Sequence, residues 1–130
     1  MNNVVISIGS NSTDRQWQMD YAIRHLKSKL KSVSVSSVYE SSAQNGKDAP
    51  YLNAVMVGET NMDFEKATAF CKQWEMLCGR TSASKLEGVI PIDLDIVVWN
   101  GEVVKENDFL YPYFTRGYHQ LVAAGKVSQE

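Results

Sequence analysis

The sequence predicts an α+β fold of the ferredoxin-like type, in which helices cover one face of an antiparallel sheet. Two observations lead to it: short β-branched stretches recur along the chain, and two amphipathic segments with helical spacing lie between them. Their order, βαββαβ followed by a C-terminal β-hairpin, is typical of this fold and leaves the second sheet face available to a ligand. A chain of 130 residues suffices for a single domain, 1–130, whose tail from about residue 122 to 130 we expect to fray.

The first half of the chain supplies three strands and one helix. Residues 4–8 are β-branched and apolar, and residues 9–11 offer a turn and helix N-caps, so a strand is expected there. Apolar residues at spacings of three and four predict an amphipathic helix over about 14–30. β-forming residues predict two further strands at 33–39 and 51–57, joined by a polar loop.

The second half adds one helix and the hairpin. An apolar stripe predicts a helix from about residue 63 to 77, and Gly79 is placed where a left-handed residue would end it. Residues 92–99 are expected to form the next strand. The dipeptide Asn100-Gly101 is a strong hairpin signal, and residues 102–104 make a short return strand.

Charge and composition exclude several classes of protein. A net charge of -2 argues against a nucleic-acid binder that relies on diffuse phosphate attraction. No stretch approaches the roughly 20 apolar residues that span a bilayer, and no basic region precedes the N-terminal apolar run, so we expect a cytoplasmic protein with no membrane partner. Cys71 and Cys78 are too far apart on the predicted helix for a disulfide, and they lack the spacing of a zinc site.

Asp93 and Asp95 are the first candidates for chemistry. Period-two alternation along the strand places both carboxylates on one face and Ile92, Leu94 and Ile96 on the other. Two carboxylates roughly 7 Å apart along a strand suit Mg²⁺ shared with substrate phosphates, because paired hard oxygen ligands are typical of such sites. The pattern alone also fits two solvated aspartates.

Aromatic and amide side chains suggest a site for a flat heterocycle. Tyr51 and Asn53 are spaced by two on a predicted strand, so a ring for stacking and an amide for hydrogen bonding share one face. Arg116, Gly117 and Tyr118 supply a cation, a flexible joint and a second ring that could close over the same ligand. A cross-strand aromatic pair and a surface loop explain the two patterns equally well.

Glu75 and Arg80 lie at the end of the second predicted helix. The turn at Gly79 would direct Arg80 toward the sheet face, where Glu75 could add a third acceptor. Without further context, both residues also fit a solvated helix end.

One set of motifs occurs in a fixed order from about residue 4 to residue 121. The motifs are Ile8-Gly9-Ser10-Asn11, Val38-Tyr39, Tyr51-Leu52-Asn53-Ala54, Glu75 to Arg80, Asp93-Leu94-Asp95-Ile96 and Arg116-Gly117-Tyr118. This order resembles the 6-hydroxymethyl-7,8-dihydropterin pyrophosphokinase family of the folate pathway, and the spacing from Glu75 to Asp93 agrees with that of the family.

The resemblance implies transfer of the β,γ-pyrophosphoryl group of ATP to the hydroxymethyl oxygen of the pterin, with release of AMP. It implies two Mg²⁺ ions held by Asp93 and Asp95, and it places Arg80 with them among the catalytic residues. Such a reaction depends on positioning and charge neutralisation more than on covalent chemistry.

The resemblance also implies which residues bind each substrate. In the family, the residues that match Tyr51 and Tyr118 sandwich the pterin, and the residue that matches Asn53 hydrogen-bonds its edge. The positions that contact the nucleotide or order its site match Glu75, Arg80 and Arg116.

The chain departs from the family on the nucleotide side. Family members carry a basic loop before the Asp-x-Asp strand, whereas residues 81–91 contain Lys85 as their one cation, and Ile90 stands in place of an arginine. Tyr113 replaces a histidine. Because ATP brings about four negative charges, we expect Lys85 to join the two arginines in binding its phosphates.

Two functions of different classes follow from this comparison. An active pyrophosphokinase is favoured, because the metal-binding residues Asp93 and Asp95 and the residues of the pterin pocket are present together. The alternative is a catalytically impaired relative that binds a pterin-like heterocycle without phosphoryl transfer. A single-stranded nucleic-acid module is disfavoured, since the acidic pair would repel a phosphate backbone.

Overall fold

A six-stranded antiparallel sheet organises the chain, of which the computed structural model describes residues 1–127. The strands are β1 (Asn2–Ser10), β2 (Lys31–Val35), β3 (Tyr39–Ser41), β4 (Tyr51–Thr60), β5 (Asp93–Trp99) and β6 (Glu102–Val103). The helices are α1 (Arg15–Lys29), α2 (Phe64–Leu77), α3 (Ser82–Glu87), α4 (Glu106–Leu110) and α5 (Pro112–Ala123). The strand order is β2-β4-β1-β5-β6, with β3 also paired to β4. The predicted α+β, ferredoxin-like class is confirmed.

β1 is the central strand and sets the register of its neighbours. It pairs antiparallel with β4 on one side and with β5 on the other. Gly9 lies opposite both Asn53 and Asp93, and Ser7 lies opposite Asp95. Because side chains alternate across a strand, all of these residues occupy one face of the sheet.

The opposite face carries the larger core, which α1 and α2 cover. Met19, Ala22 and Leu26 of α1 are fully buried against the even-numbered apolar residues of β1. α2 begins at Asp63, whose side chain accepts a hydrogen bond of 2.8 Å from the Lys66 N–H and caps the helix. Both predicted helices are therefore confirmed.

α5 packs on the other face of the sheet, so the expectation that helices cover only one face is wrong. Phe114, Tyr118 and Leu121 of α5 are buried against Val55 and Val97 of the sheet. Their spacing of four and three is helical, and Pro112 occupies the first helical turn, where its missing N–H costs no hydrogen bond. The segment around Arg116 was expected as a loop because its glycine was interpreted as a flexible joint.

Gly117 is required by close packing and not by flexibility. A Cβ at this position would lie 2.7 Å from Val55 Cγ2 and 2.8 Å from the Tyr39 hydroxyl oxygen. The Gly117 N–H donates to that same hydroxyl at 3.0 Å, and the hydroxyl donates to the carbonyl of Tyr113 at 2.7 Å. The absent side chain therefore lets α5 approach the sheet closely enough to bond to it.

Two further segments differ from the sequence prediction. The strand expected at 33–39 is divided, because the Ser36 hydroxyl takes the place of a backbone group and accepts the Val55 N–H at 2.9 Å. Residues 81–91, expected as a loop, contain α3, which ends at Gly88 in a left-handed conformation. The predicted hairpin at Asn100-Gly101 is confirmed, with both residues at positive φ, although two helices follow it.

The first two residues of the tail that we expected to fray from about residue 122 belong to α5, which continues through Ala123. Residues 128–130 of the expected tail lie outside the described residues. Within the described range 1–127, none of the helices has the length and apolar character needed to cross a membrane.

Candidate active site

The sheet face that α5 shares is divided between packing and a cavity. α5 covers the end of this face near Val55 and Val57, whereas the end near Gly9 is open. The open end forms a cavity of about 330 Å³. Its lining residues are Ser7, Gly9, Ser41, Ser42, Ala43, Gln44, Asn45, Asp48, Tyr51, Asn53, Lys85, Gly88, Ile90, Asp93 and Tyr113.

Two loops form walls of the cavity, and Asn11 joins them. The β3–β4 loop (residues 42–50) and the α2–β5 segment (residues 78–92) are distant in sequence. The buried Asn11 amide donates to the carbonyls of Ala49 at 3.2 Å and Gly88 at 2.8 Å, while its Oδ1 accepts the N–H of Ile90 at 2.6 Å. One side chain therefore fixes the distance between the two walls.

Gly88 brings the two loops into contact. Its φ of 74° is in the left-handed region, and a Cβ there would clash with the Asp48 carboxylate. Only glycine fits this conformation and this contact together.

Tyr51 and Asn53 lie side by side in the cavity, as the strand spacing predicted. The Asn53 amide nitrogen donates to the Ser41 hydroxyl at 2.7 Å, which fixes the orientation of the amide. Asn53 Oδ1 receives no hydrogen bond from the residues the structure describes. It is therefore the acceptor that Asn53 can offer to a ligand.

Tyr118 does not line this cavity, so the structure does not support its predicted place in the pterin pocket. Because α5 is a helix, Tyr118 packs in the second core with Phe109 and Phe114, at ring-centroid distances of 5.2 and 5.3 Å. Tyr113 lines the cavity in its place. Its hydroxyl donates to Asp108, and burial followed by this bond raises the pKa of Tyr113, so the phenol stays protonated.

Asp93 lines the cavity, and Asp95 lies outside the lining on the same sheet face, opposite Ser7. Ile92, Leu94 and Ile96 are buried on the other face, as predicted. Burial and then the neighbouring Asp95 charge raise the pKa of Asp93 to about 7. Burial alone would raise the pKa of Asp95 as well, but a hydrogen bond with Asp93 and two nearby lysines lower it. Of the two carboxylates, Asp93 therefore holds a proton more readily than Asp95.

The two lysines meet at one oxygen atom of Asp95. Lys105 Nζ lies 3.2 Å and Lys72 Nζ 3.7 Å from Asp95 Oδ1. Lys72 comes from α2, and Lys105 follows the β5–β6 hairpin, whose return brings its backbone N–H within 3.4 Å of the Val97 carbonyl. Cations from two separate elements therefore surround one carboxylate.

Arg80 and Glu75 form a second charged group beside Asp93. Arg80 Nη1 lies 2.7 Å from Asp93 Oδ1, 3.1 Å from Glu75 Oε2 and 3.2 Å from the Ile92 carbonyl oxygen. Glu75 is buried, and its Oε2 also accepts the Leu94 N–H at 2.8 Å. Glu75 thus satisfies a backbone donor at a part of β5 where β6 does not pair.

The remaining predicted cations occupy different places. Lys85 lies on α3 and lines the cavity. Arg116 is exposed on α5 with its guanidinium 5.0 Å from the centre of the Tyr39 ring, and it is not among the cavity residues. The structure therefore brings Lys85, but not Arg116, to the expected site.

Residues 5–121 match the family described as 7,8-dihydro-6-hydroxymethylpterin-pyrophosphokinase, or HPPK. The chain belongs to this family. The resemblance of its motifs is confirmed, and at the level of the HPPK family the function is pyrophosphate transfer in folate biosynthesis, with ATP and Mg²⁺ in general use.

The donor set at the candidate site fits a magnesium ion. Among residues 1–127, no group of three or more His, Cys, Asp or Glu side chains is arranged to hold a metal. Asp93 and Asp95 would therefore supply the protein ligands, and the rest would come from water and phosphate, as is usual for Mg²⁺. Burial and then the neighbouring Asp95 charge raise the pKa of Asp93, and a divalent cation would relieve the repulsion between the two carboxylates.

Four residues at or beside the candidate site were not predicted from the sequence as site residues: Lys72, Lys105, Tyr113 and Asn11. Lys72 carried a usable signal, because it lies one helical turn before Glu75 and so faces the same strand. Tyr113 was noted only as a departure from the family. The position of Lys105 depends on the path of the chain after the hairpin, and that of Asn11 on contacts with two distant loops.

Proposed function

We propose that the protein transfers the pyrophosphoryl group of ATP to the hydroxymethyl group of 6-hydroxymethyl-7,8-dihydropterin and releases AMP. The observation that carries this proposal is the Asp93–Asp95 pair, which opens on the same face as a cavity walled by an aromatic ring and a buried amide. Two metal-binding carboxylates beside a pocket for a flat heterocycle are what the transfer of pyrophosphate from a metal-bound nucleotide to a pterin requires.

The pterin would lie in the cavity between Tyr51 and Tyr113. Both rings belong to its lining, and Asn53 Oδ1 offers an acceptor to an amino group on the pterin edge. Hydrogen bonds to Ser41 and Asp108 hold Asn53 and Tyr113 in place. We therefore assign to Tyr113 the role of second aromatic wall that the family resemblance implied for Tyr118.

The phosphates would lie at the mouth of the cavity near Asp93. Two Mg²⁺ ions held by Asp93 and Asp95 would neutralise the negative charge that develops during the transfer. Arg80, fixed by Glu75, keeps a positive charge beside Asp93, and Lys85 provides another at the cavity wall. These residues position the reactants, which is the main task of a protein in phosphoryl transfer.

The test is AMP formation from Mg-ATP with and without the pterin, at high protein concentration. Wild-type protein should form AMP only with the pterin, and Asp95→Asn should reduce the rate on the order of 100-fold or more, because one metal ligand is lost. Asp20→Asn, an exposed change on α1, is the matched control. Circular dichroism of each variant checks that the fold is kept.

Two results would contradict this proposal, the first in its metal site and the second in its activity. Pterin-dependent AMP formation that is equal in Asp95→Asn would remove the metal role of the pair. No AMP from wild-type protein at stoichiometric concentration would exclude transfer. Fluorescence titration with the pterin would then test the alternative of binding alone, in which Tyr51→Ala but not Tyr118→Phe weakens affinity.

A further inference from the structure

The cations around the acidic pair differ in their freedom to bind a ligand. Arg80 Nη1 already contacts three oxygen atoms, those of Asp93, Glu75 and Ile92, within 3.2 Å. Its side chain is 27% exposed, against 49% for both Lys72 and Lys105. Arg80 is therefore held in place by protein contacts, whereas the two lysines are accessible to a ligand.

The two lysines are held only by exchangeable contacts. Lys105 bonds to Asp95 alone among the described side chains, and Lys72 divides its contacts between Asp95 and Glu75. Both ammonium groups are half exposed, whereas the Asp95 side chain is 16% exposed and needs a replacement charge when they leave. A Mg²⁺ ion at Asp95 would supply that charge, and the long lysine stems allow the movement.

The two ammonium groups lie where they could contact a polyphosphate bound next to the proposed metal ligands Asp93 and Asp95. Asp95 Oδ1, which both contact, is one of the proposed metal ligands. A Mg²⁺ ion bound there would repel the ammonium groups from that oxygen and leave them beside the phosphates of the nucleotide. Lys72 approaches from α2 and Lys105 from the segment between β6 and α4, so the two lysines could bind different phosphate groups.

We propose that Lys72 and Lys105 bind the polyphosphate of the nucleoside triphosphate and provide the charge that the cation-poor segment 81–91 lacks. This inference rests on the proposed function, because it assumes that a nucleotide occupies the mouth of the cavity. It adds two binding residues that neither the family match nor the motifs assign. The competing explanation is that both lysines only neutralise Asp95.

The two explanations predict different effects of the lysine substitutions on the affinity for the nucleotide. Titration calorimetry would follow binding of Mg²⁺ with α,β-methylene-ATP, whose α–β linkage does not react. With a phosphate role, Lys105→Met and Lys72→Met should each weaken nucleotide binding about tenfold, since charge-assisted hydrogen bonds are lost. If the lysines only neutralise Asp95, both variants should bind the nucleotide equally or more tightly.

Matched variants separate charge from packing and from folding. Lys105→Arg should keep most of the affinity, because the cation remains. Lys27→Met, an exposed change on α1, should have no effect. Titration with Mg²⁺ alone should show equal or tighter binding in both methionine variants, and weaker binding there would indicate a disturbed site and contradict the proposal.

The outcomes also separate this inference from the proposed function. Wild-type protein that forms pterin-dependent AMP but binds the nucleotide equally well after both changes would overturn the lysine role and leave the function intact. Lysine-dependent nucleotide binding without AMP formation would support the lysine role and overturn the function.

Discussion

The two thiols show how strongly a residue's surroundings set its chemistry. Cys71 in α2 is buried, and burial followed by the Glu75 charge raises its pKa to about 12. Cys78, just after the helix, is partly exposed, and its pKa is raised by burial and by Asp14. Since the thiolate is the reactive form, both thiols are poor nucleophiles, but only Cys78 is accessible.

We predict that one thiol of the native protein reacts with a disulfide reagent at pH 8, and that both react in denaturant. Cys78→Ser should abolish the native reaction, and Cys71→Ser should preserve it. The absorbance of the released chromophore gives both stoichiometry and rate. Native Cys78→Ser protein that still reacts at the wild-type rate would show that Cys71 is accessible.

Individual side-chain roles were partly readable from the sequence. The alternation of Asp93 and Asp95 with apolar neighbours was decisive, because a strand has only two faces. Tyr118 was misplaced because its direction depends on whether the segment is a loop or a helix. That choice is set by long-range packing of Gly117 on β4, which no local pattern contains.

At the scale of elements, α2 and β5 are linked through Glu75. The first half of β5 has β1 on one side, but β6 pairs only with Val98 and Trp99 on the other. Glu75 accepts the Leu94 N–H that would otherwise lack a partner, and the same carboxylate holds Arg80. A helix side chain thus replaces a neighbouring strand.

We predict that Glu75→Ala lowers the free energy of unfolding by about 2–4 kcal/mol, because a buried donor and a partly buried cation both lose their acceptor. Glu75→Gln should cost less, since its amide oxygen can still accept the Leu94 N–H. Urea denaturation measures both changes. Gln73→Ala, an exposed change on the same helix, is the control, and an equal effect of all three substitutions would contradict this role.

Most elements were predictable from the sequence, and those that were missed have a common cause. α1, α2 and the Asn100-Gly101 hairpin have strong local signals, a helical stripe or a turn that needs positive φ. α3 and α5 are held by contacts that are distant in sequence. The N–H of Ile90, just after α3, donates a hydrogen bond to Asn11, and the Gly117 N–H of α5 donates one to the Tyr39 hydroxyl.

At the scale of the whole molecule, one sheet supports two cores. β1, β4 and β5 contribute apolar residues to both faces, as Ile6 and Val5 illustrate on β1. Damage to one core therefore weakens strands that the other core needs, and we expect both to unfold in one transition. The antiparallel sheet itself followed from the βαββαβ pattern, but the cavity did not, because its walls are distant in sequence.

We predict that Phe114→Ala lowers stability by about 3–5 kcal/mol, since a fully buried ring is lost from the second core. Trp74 and Trp99 pack against the first core, so tryptophan fluorescence reports mainly on the face opposite Phe114. Fluorescence and circular dichroism should shift to the same lower urea midpoint. Unchanged fluorescence with shifted circular dichroism would show independent cores, and His119→Ala, exposed on α5, is the control.

The hydrogen bonds of Asn11 to both cavity walls have a mechanical consequence. Because one buried amide connects the β3–β4 loop to the α2–β5 segment, neither wall can move outward alone without breaking a hydrogen bond to Asn11. The least costly opening of the cavity is therefore a correlated displacement of both walls about β1. The stiffness of the entrance thus depends on a side chain whose hydrogen bonds reach neither the aromatic rings nor the acidic pair.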